Sequence, residues 1–211
     1  MKTPFSADWW LTRRAEWAIL WNRRADAIAA FRRVLALAPD DVSARSSLGN
    51  LYAEAGDIGA AIAEFEILTK SPLADADAWF NLGYLYEKQG AVGDAERCFR
   101  KTTELLASHD RAWYGLGLVL VREGRLSEAT DAFKKAVKLQ PYSPYGYYQL
   151  SMTYFHLGRI DDAWETQRQL AEFEPKFSAG LKRDLEQTIP DSRVRADVDR
   201  QPREVAITEV S

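Results

Sequence analysis

The sequence predicts an all-α protein, a right-handed superhelical solenoid built from helix–turn–helix units. The first observation is a period of 34 residues in the alanine column Ala27, Ala61, Ala95, Ala129 and Ala163. The second is that apolar residues within each period recur at three- and four-residue spacing, which is the period of a helix. The third is a turn column, Asn22, Gly56, Gly90, Gly124 and Gly158, of residues that can end a helix in the left-handed conformation.

Two further columns share this period. A small residue recurs in the first helix of each unit, at Ala15, Gly49, Gly83, Gly117 and Ser151. An aromatic residue recurs in the second helix, at Phe31, Phe65, Phe99 and Phe133, with Gln167 as the exception. We expect the small residues to let the two helices of a unit approach closely, and the phenylalanines to fill the gap between units. Because one helix pair cannot bury both of its faces, stability must come from stacking neighbouring units.

These columns divide the chain into parts. Residues 1–7 form an N-terminal lead, and five units follow without insertion at 8–41, 42–75, 76–109, 110–143 and 144–177. Residues 178–189 predict one further helix, because Leu181, Leu185 and Ile189 share a face and the opposite face is charged. A solenoid end needs such a capping helix. Residues 190–211 have mixed charges and no aromatic residue, which predicts a disordered tail.

The order of residues within a unit resembles the tetratricopeptide repeat, whose pattern is Trp, Leu-Gly, Tyr, Ala, Phe and Pro. The third unit has Trp79, Leu82, Gly83, Tyr86, Ala95 and Phe99. The fourth has Trp113, Leu116, Gly117, Leu120, Ala129, Phe133 and Pro141. The resemblance covers residues 8–177, but the first helix of unit one departs from it, with Arg14 in place of leucine and Ala18 in place of an aromatic residue.

Composition excludes several classes of protein. With 46% hydrophobic and 12% aromatic residues the chain is not disordered as a whole, and one cysteine cannot form a disulfide scaffold. The net charge of −3 argues against a nucleic-acid partner. Charges at Asp8, Arg13 and Arg14 interrupt any secretory signal, so we expect a cytoplasmic protein.

Catalytic signatures are absent from the sequence, which has no phosphate-binding glycine loop and no nucleophile elbow. We therefore predict that the protein is not an enzyme and needs no cofactor. A zinc site needs about four ligands, whereas His109 and His156 lie in different units, so no metal site is expected. Cys98 falls on a second helix, where we expect a small packed residue and no redox role.

The inner, concave surface of the solenoid is the expected binding site. The first helix of each unit lines it mainly, and the positions off the packing columns should face it. Rigid aromatic residues beside adaptable polar ones suit a peptide or a helix of a partner protein. The candidate groove residues are Asn50, Phe80, Asn81, Tyr84, Arg111, Tyr114, Leu118, Arg122, Tyr145, Tyr148, Met152 and Phe155.

Some members of the resembled family clamp the C-terminal carboxylate of chaperones with two asparagines and several cations. Asn50 and Asn81 stand at the asparagine positions, and Arg111 can replace one lysine. Ser46 and Gly115 stand where the other cations belong, which argues against a clamp. The alternative is that the asparagines bond the backbone of a bound peptide.

The first helix is a second candidate interface. Trp9, Trp10, Trp17, Leu20 and Trp21 fall within an arc of roughly 120° at the 100° per residue of an α-helix. Arginines surround this arc, which suits a membrane interface. Self-association and docking to a partner are alternatives, and a further one is that the tryptophans cover the exposed end of unit two.

Two functions follow as hypotheses. The first is an adaptor that binds a peptide or helix of a protein partner in the groove, within a larger assembly. The alternative is a scaffold that forms a homo-oligomer, or less favourably contacts a membrane surface, through residues 5–24. A further idea is that the tail occupies the protein's own groove.

Overall fold

The computed structural model describes residues 7–188, and over this range the chain contains eleven α-helices and no strand. They are α1 (Ala7–Leu20), α2 (Arg24–Leu37), α3 (Val42–Glu54), α4 (Ile58–Thr69), α5 (Ala76–Gln89), α6 (Val92–Leu105), α7 (Asp110–Arg122), α8 (Leu126–Leu139), α9 (Pro144–His156), α10 (Ile160–Phe173) and α11 (Pro175–Thr188). The predicted all-α fold is confirmed. Apart from Ala7, the predicted lead lies outside the described residues, as does the predicted tail.

Sequential pairing of helices builds the solenoid. Helices α1 to α10 form five pairs, each within one 34-residue period, and each second helix also contacts the first helix of the next pair. First helices contact one another directly where α7 meets α5 and α9. Each unit is therefore stabilised by its neighbours, as repeat architectures require.

The turn column has the predicted left-handed conformation. Asn22 has φ 54°, and Gly56, Gly90, Gly124 and Gly158 have φ between 74° and 83°. At Gly56 the next residue, Asp57, donates its N–H to the carbonyl of Tyr52 at 2.9 Å. This six-to-one bond is the Schellman motif, which satisfies a carbonyl at the helix end and turns the chain into the second helix.

The small residues of the first helices lie against the phenylalanines of their own units. A Cβ built on Gly49 would lie 2.7 Å from the ring of Phe65, and one on Gly117 would overlap Phe133 even more closely. Phe99 also reaches the next unit, since a Cβ on Gly115 would lie 2.8 Å from its ring. The phenylalanine thus packs within its own unit as well as filling the gap between units.

The capping helix α11 begins at Pro175, three residues before the predicted start. Proline is well placed in a first turn, where its missing N–H would have no helical partner. Leu181 and Leu185 are fully buried, as their shared face predicts, while Ile189 lies outside the described residues.

Unit five replaces the aromatic contact with hydrogen bonds to this cap. The Gln167 amide Nε2 donates to the Ser178 hydroxyl at 2.7 Å, and that hydroxyl donates to the Gln167 carbonyl at 3.1 Å. Both side chains are buried away from water, so their polar groups must form hydrogen bonds with each other. Gln167, the exception in the phenylalanine column, is therefore the residue that joins α10 to α11 by buried hydrogen bonds.

Replacing Gly117 with alanine should lower the free energy of unfolding by about 1–3 kcal/mol, because the new methyl group overlaps the Phe133 ring in a packed core. Gly180→Ala is the matched control, since its new Cβ would meet no neighbouring side chain or other part of the chain within 4 Å, apart from the backbone of α11 around it. It should raise the free energy of unfolding by about 0.4–1 kcal/mol. Urea denaturation measures both changes, and equal stability of the two variants would contradict this packing.

Replacing Gln167 with alanine should loosen α11, because it removes the amide that bonds the buried Ser178 hydroxyl. The Ser178 hydroxyl still donates to the main-chain carbonyl at position 167, so the loss of the amide bond should lower the free energy of unfolding by about 0.5–1.5 kcal/mol. Compared with the native chain, the variant should show faster hydrogen–deuterium exchange in α11 and unchanged exchange in α3, which is remote from the substitution. Unaltered protection of α11 would show that the hydrogen bonds do not hold the cap.

Candidate partner-binding surface

All twelve predicted groove residues lie on first helices, namely α3, α5, α7 and α9. We call the surface formed by their outward side chains the first-helix surface. Its central part is continuous, because α7 contacts both α5 and α9.

Arg111 is held in place by the aromatic ring of Phe80. Its guanidinium lies 4.9 Å from the centroid of that ring, which also stacks 4.6 Å from the imidazole of His109. His109 is buried, and its Nδ1 accepts the N–H of Ala112 at 3.2 Å, so it caps the start of α7. The Nε2 atom faces Asp77 at 3.3 Å. The stack orients Arg111 before any ligand binds.

Arg111, Tyr114 and Tyr145 meet around a pocket of about 270 Å³. The remaining walls are Asp110, Ala136, Gln140, Ser143 and Gly146. The side chain of Tyr145 is 60% exposed, whereas Tyr114 is half-buried and burial raises the pKa of its phenol. The pocket therefore combines apolar surface with one cation, Arg111, one carboxylate, Asp110, and several hydroxyl groups, which fits an apolar side chain beside a main-chain carbonyl or other oxygen that Arg111 can bond.

Two other cations, the predicted groove residue Arg122 and the nearby Lys88, lie against neighbouring side chains. Arg122 of α7 forms an ion pair with Glu87 of α5 at 2.7 Å. The Lys88 ammonium lies 5.3 Å from the ring centroid of Tyr84, which is itself exposed. The Arg122–Glu87 pair joins adjacent first helices, and sequence columns gave no signal for it because the two residues occupy different repeat positions.

The capping helix engages the groove residues of unit five. The Tyr148 hydroxyl donates to the Asp184 carboxylate at 2.7 Å, and this bond raises the pKa of Tyr148. The rings of Tyr145 and Tyr148 both pack edge-on against Phe177. These contacts were missed because the capping helix was predicted to begin after Phe177. Of the remaining predicted residues Asn50 is exposed, and Asn81, Leu118, Met152 and Phe155 are half-buried.

The geometry at Gly115 excludes the carboxylate clamp considered above. Gly115 is buried, and any side chain there would run into the Phe99 ring, 2.8 Å from its Cβ. A cation cannot extend from this position into a ligand site. Arg111 is then the single cation of the clamp pattern, so Asn50 and Asn81 are better viewed as donors and acceptors for a peptide backbone.

The tryptophans of α1 form a second surface. Trp10, Trp17, Leu20 and Trp21 are 57%, 59%, 74% and 70% exposed. The interpretation that they cover the end of unit two is wrong, because α1 buries Ala15 and Ala18 instead. Trp9 is half-buried, and Arg13 lies 5.7 Å from its ring.

Cys98 and the histidine and acidic side chains are the remaining groups that could carry chemistry in the described chain. Cys98 is fully buried, and burial raises the pKa of its thiol to about 12. Between residues 7 and 188 there is no group of three His, Cys, Asp or Glu side chains that could hold a metal ion. No helix of this range is long and apolar enough to cross a membrane.

Comparison with known proteins agrees with the helix pairs. A model of the tetratricopeptide repeat matches residues 22–72, 46–104 and 92–144, and a second one matches residues 132–165. This chain belongs to the tetratricopeptide repeat family. No curated protein matches it in sequence. Tetratricopeptide repeats support a role in protein–protein interaction, and the fold is typical of scaffolds and not of enzymes.

Solved tetratricopeptide structures share the fold at low sequence identity. A crystal structure of MamA superposes with a TM-score of 0.75 at 20% identity, over 88% of this chain and 97% of that one. MamA from Desulfovibrio magneticus RS-1 gives 0.74 at 18% identity, over 82% and 98% of the two chains. YrrB, described as a tetratricopeptide protein with an unusual peptide-binding site, gives 0.73 at 21% identity, over 82% and 90%. At these identities the likeness establishes the fold alone.

The burial of Cys98 predicts an inert thiol. With its pKa raised to about 12, the thiol stays protonated at pH 8 and shielded from reagent. Ellman's reagent should therefore not react with the native chain, and should release one equivalent of thionitrobenzoate after addition of guanidinium chloride. Rapid reaction of the folded protein would contradict the packing around Phe99.

Proposed function

We propose that this tetratricopeptide protein is an adaptor that binds a peptide or helix of a partner protein on its first-helix surface. The pocket of about 270 Å³ between α7 and α9 carries the proposal. It is the place where three of the predicted groove residues converge, one of them a cation already oriented by Phe80.

The chemistry of the pocket specifies the ligand. Its apolar walls take one apolar or aromatic side chain of the partner, and Tyr145 supplies a rigid ring at low cost in side-chain entropy. Arg111 bonds a carboxylate or main-chain carbonyl next to that side chain. Because the Arg111 guanidinium is stacked in advance, binding loses less conformational freedom than a mobile lysine would.

The rest of the surface extends this contact along the partner segment. Asn81 and the exposed Asn50 offer amide groups that donate to and accept from a peptide backbone. Tyr84, on the same helix as Asn81, presents an exposed ring with Lys88 beside it. The peptide-binding site named for YrrB gives a precedent for this kind of ligand on the same fold.

A peptide selected from a random displayed library on the native chain provides the probe. Arg111→Ala and Tyr145→Ser should each weaken its binding about tenfold or more, as expected for residues at the centre of an interface. Fluorescence polarisation measures the dissociation constants. Both rings pack against Phe177 of the cap, but we choose Tyr145 because replacing Tyr148 would also break its hydrogen bond to Asp184.

Tyr142→Ser is the matched control for this experiment. Tyr142 is 80% exposed three residues before Tyr145, but its ring packs against Phe173 of α10 and does not line the pocket. The control should bind the selected peptide like the native chain. Native affinity in both Arg111→Ala and Tyr145→Ser would overturn the proposal.

A second candidate function rests on the exposed tryptophans of α1. An exposed apolar patch of several hundred Å² on a monomer commonly marks an interaction site. The protein would then act as a scaffold that joins copies of itself, or that lies on a membrane surface, through this helix.

A further inference from the structure

Trp10 and Trp17 occupy repeat positions that are buried in every other unit. They are the third and tenth residues of unit one. The third residues of units two to five are Ala44, Ala78, Ala112 and Gly146, and the tenth residues are Leu51, Leu85, Val119 and Thr153. All eight are buried. Gly146 shows what covers them, since a Cβ there would lie 3.0 Å from Val137 of the preceding second helix, α8.

The exposed side of α1 is therefore the stacking face of the solenoid. In the described chain no unit precedes α1, and the side chains at these positions are left 57% and 59% exposed. Alanine or glycine stands at the third position elsewhere because the preceding helix approaches closely. Tryptophan at this position prevents that close approach, so the face is not built to receive one more repeat in the usual way.

Four residues on this face have a self-complementary spacing. Trp10, Arg14, Trp17 and Trp21 lie within an arc of roughly 60° at 100° per residue. Trp21 still follows the helix, since its N–H donates to the Trp17 carbonyl at 3.0 Å. The intervals are four, three and four residues, so the row has the same spacing in both directions. We call this row the α1 face.

Two antiparallel copies of the α1 face match one another. Trp10 of each copy meets Trp21 of the other, and Arg14 of each meets Trp17 of the other. A guanidinium over an indole ring is a favourable cation–π contact. Arg13, next to this row, already has its charge paired with Glu16 at 2.8 Å.

At the other end of the described solenoid, the outward side of α11 is charged and not apolar. It carries the exposed charged residues Lys182, Arg183 and Glu186. A head-to-tail assembly would place the tryptophans against these charges. An arrangement in which each copy presents the same face to the other avoids this, and it is the usual symmetry of homodimers.

We propose that the α1 face binds the α1 face of a second copy, with the two helices antiparallel about a two-fold axis. This proposal names the partner and the geometry of the second candidate function above. It uses no residue of the first-helix surface, which lies on α3, α5, α7 and α9. Tryptophan side chains offer about 150–250 Å² each, so the exposed parts of the three tryptophans of the α1 face supply roughly 370 Å² per copy. The total of roughly 740 Å² is below the area of about 1,000 Å² that stable interfaces exceed, so we expect a weak, reversible dimer.

Sedimentation velocity of the full chain from about 1 to about 100 μM brackets micromolar dissociation constants. The native chain should shift from monomer to dimer over this range, and Trp10→Ser/Trp17→Ser should remain a monomer with an unchanged circular dichroism spectrum. Leu73→Ser is the control, because Leu73 is 73% exposed, more than either tryptophan, but lies between α4 and α5. It should dimerise like the native chain.

Disulfide trapping tests the antiparallel register. Arg14→Cys and Trp17→Cys variants, mixed and oxidised, should form the mixed disulfide in preference to either homodimer, and buried Cys98 should not compete. Parallel pairing would instead favour the two homodimers and would overturn the proposed register.

Two outcomes would overturn the dimer itself. One is a native chain that stays monomeric at about 100 μM, whether or not the tryptophans make it float with phosphatidylserine-containing vesicles. The other is a dimer that the Trp10→Ser/Trp17→Ser variant retains. Tyr145→Ser should leave the dimer intact, so failure of the α1 face and failure of the groove are measured separately.

Discussion

The packing of one phenylalanine ring against a glycine in its own unit is the contact on which the solenoid depends. At Gly49 and Gly117 there is no room for a methyl group beside the ring. The same ring type reaches the next unit, as Phe99 does at Gly115. Pairing of the two helices within a unit is thus coupled to stacking between units. Regular stacking sets the first helices side by side, and their outward side chains form one surface.

The sequence was sufficient for the parts of the structure that repeat. The alanine, glycine and phenylalanine columns predicted the helix pairs, and Asn22 has the left-handed conformation that its place in the turn column requires. The contacts of individual groove residues were harder to predict from the sequence. Whether Arg122 meets a ligand or Glu87 depends on the offset between neighbouring helices, which the repeat period does not specify. Tyr148 bonds the cap because α11 begins at Pro175, and helix ends are the least certain feature of a sequence pattern.

The ends of the solenoid depend on context that a repeat pattern lacks. Trp10 lies at the third position of its unit. In the other units this position is buried because a second helix precedes it, but no helix precedes α1 in the described chain, so Trp10 is exposed. At the other end, Gln167 broke the phenylalanine column and proved to bond Ser178 of the capping helix. These two residues, which depart from the repeat columns, therefore lie in the first and last units of the stack. The polar cap closes one end, while the α1 face leaves the other available to a second copy.

Nuclear magnetic resonance mapping of the library-selected peptide tests most directly whether a partner segment binds between α7 and α9. The largest amide shift changes should fall around Arg111, Tyr114 and Tyr145, with little change in α4 or α6, which do not line the pocket. Shift changes confined to those second helices or to α1 would show that the peptide binds elsewhere. That result would contradict the assignment of the first-helix surface as the binding site.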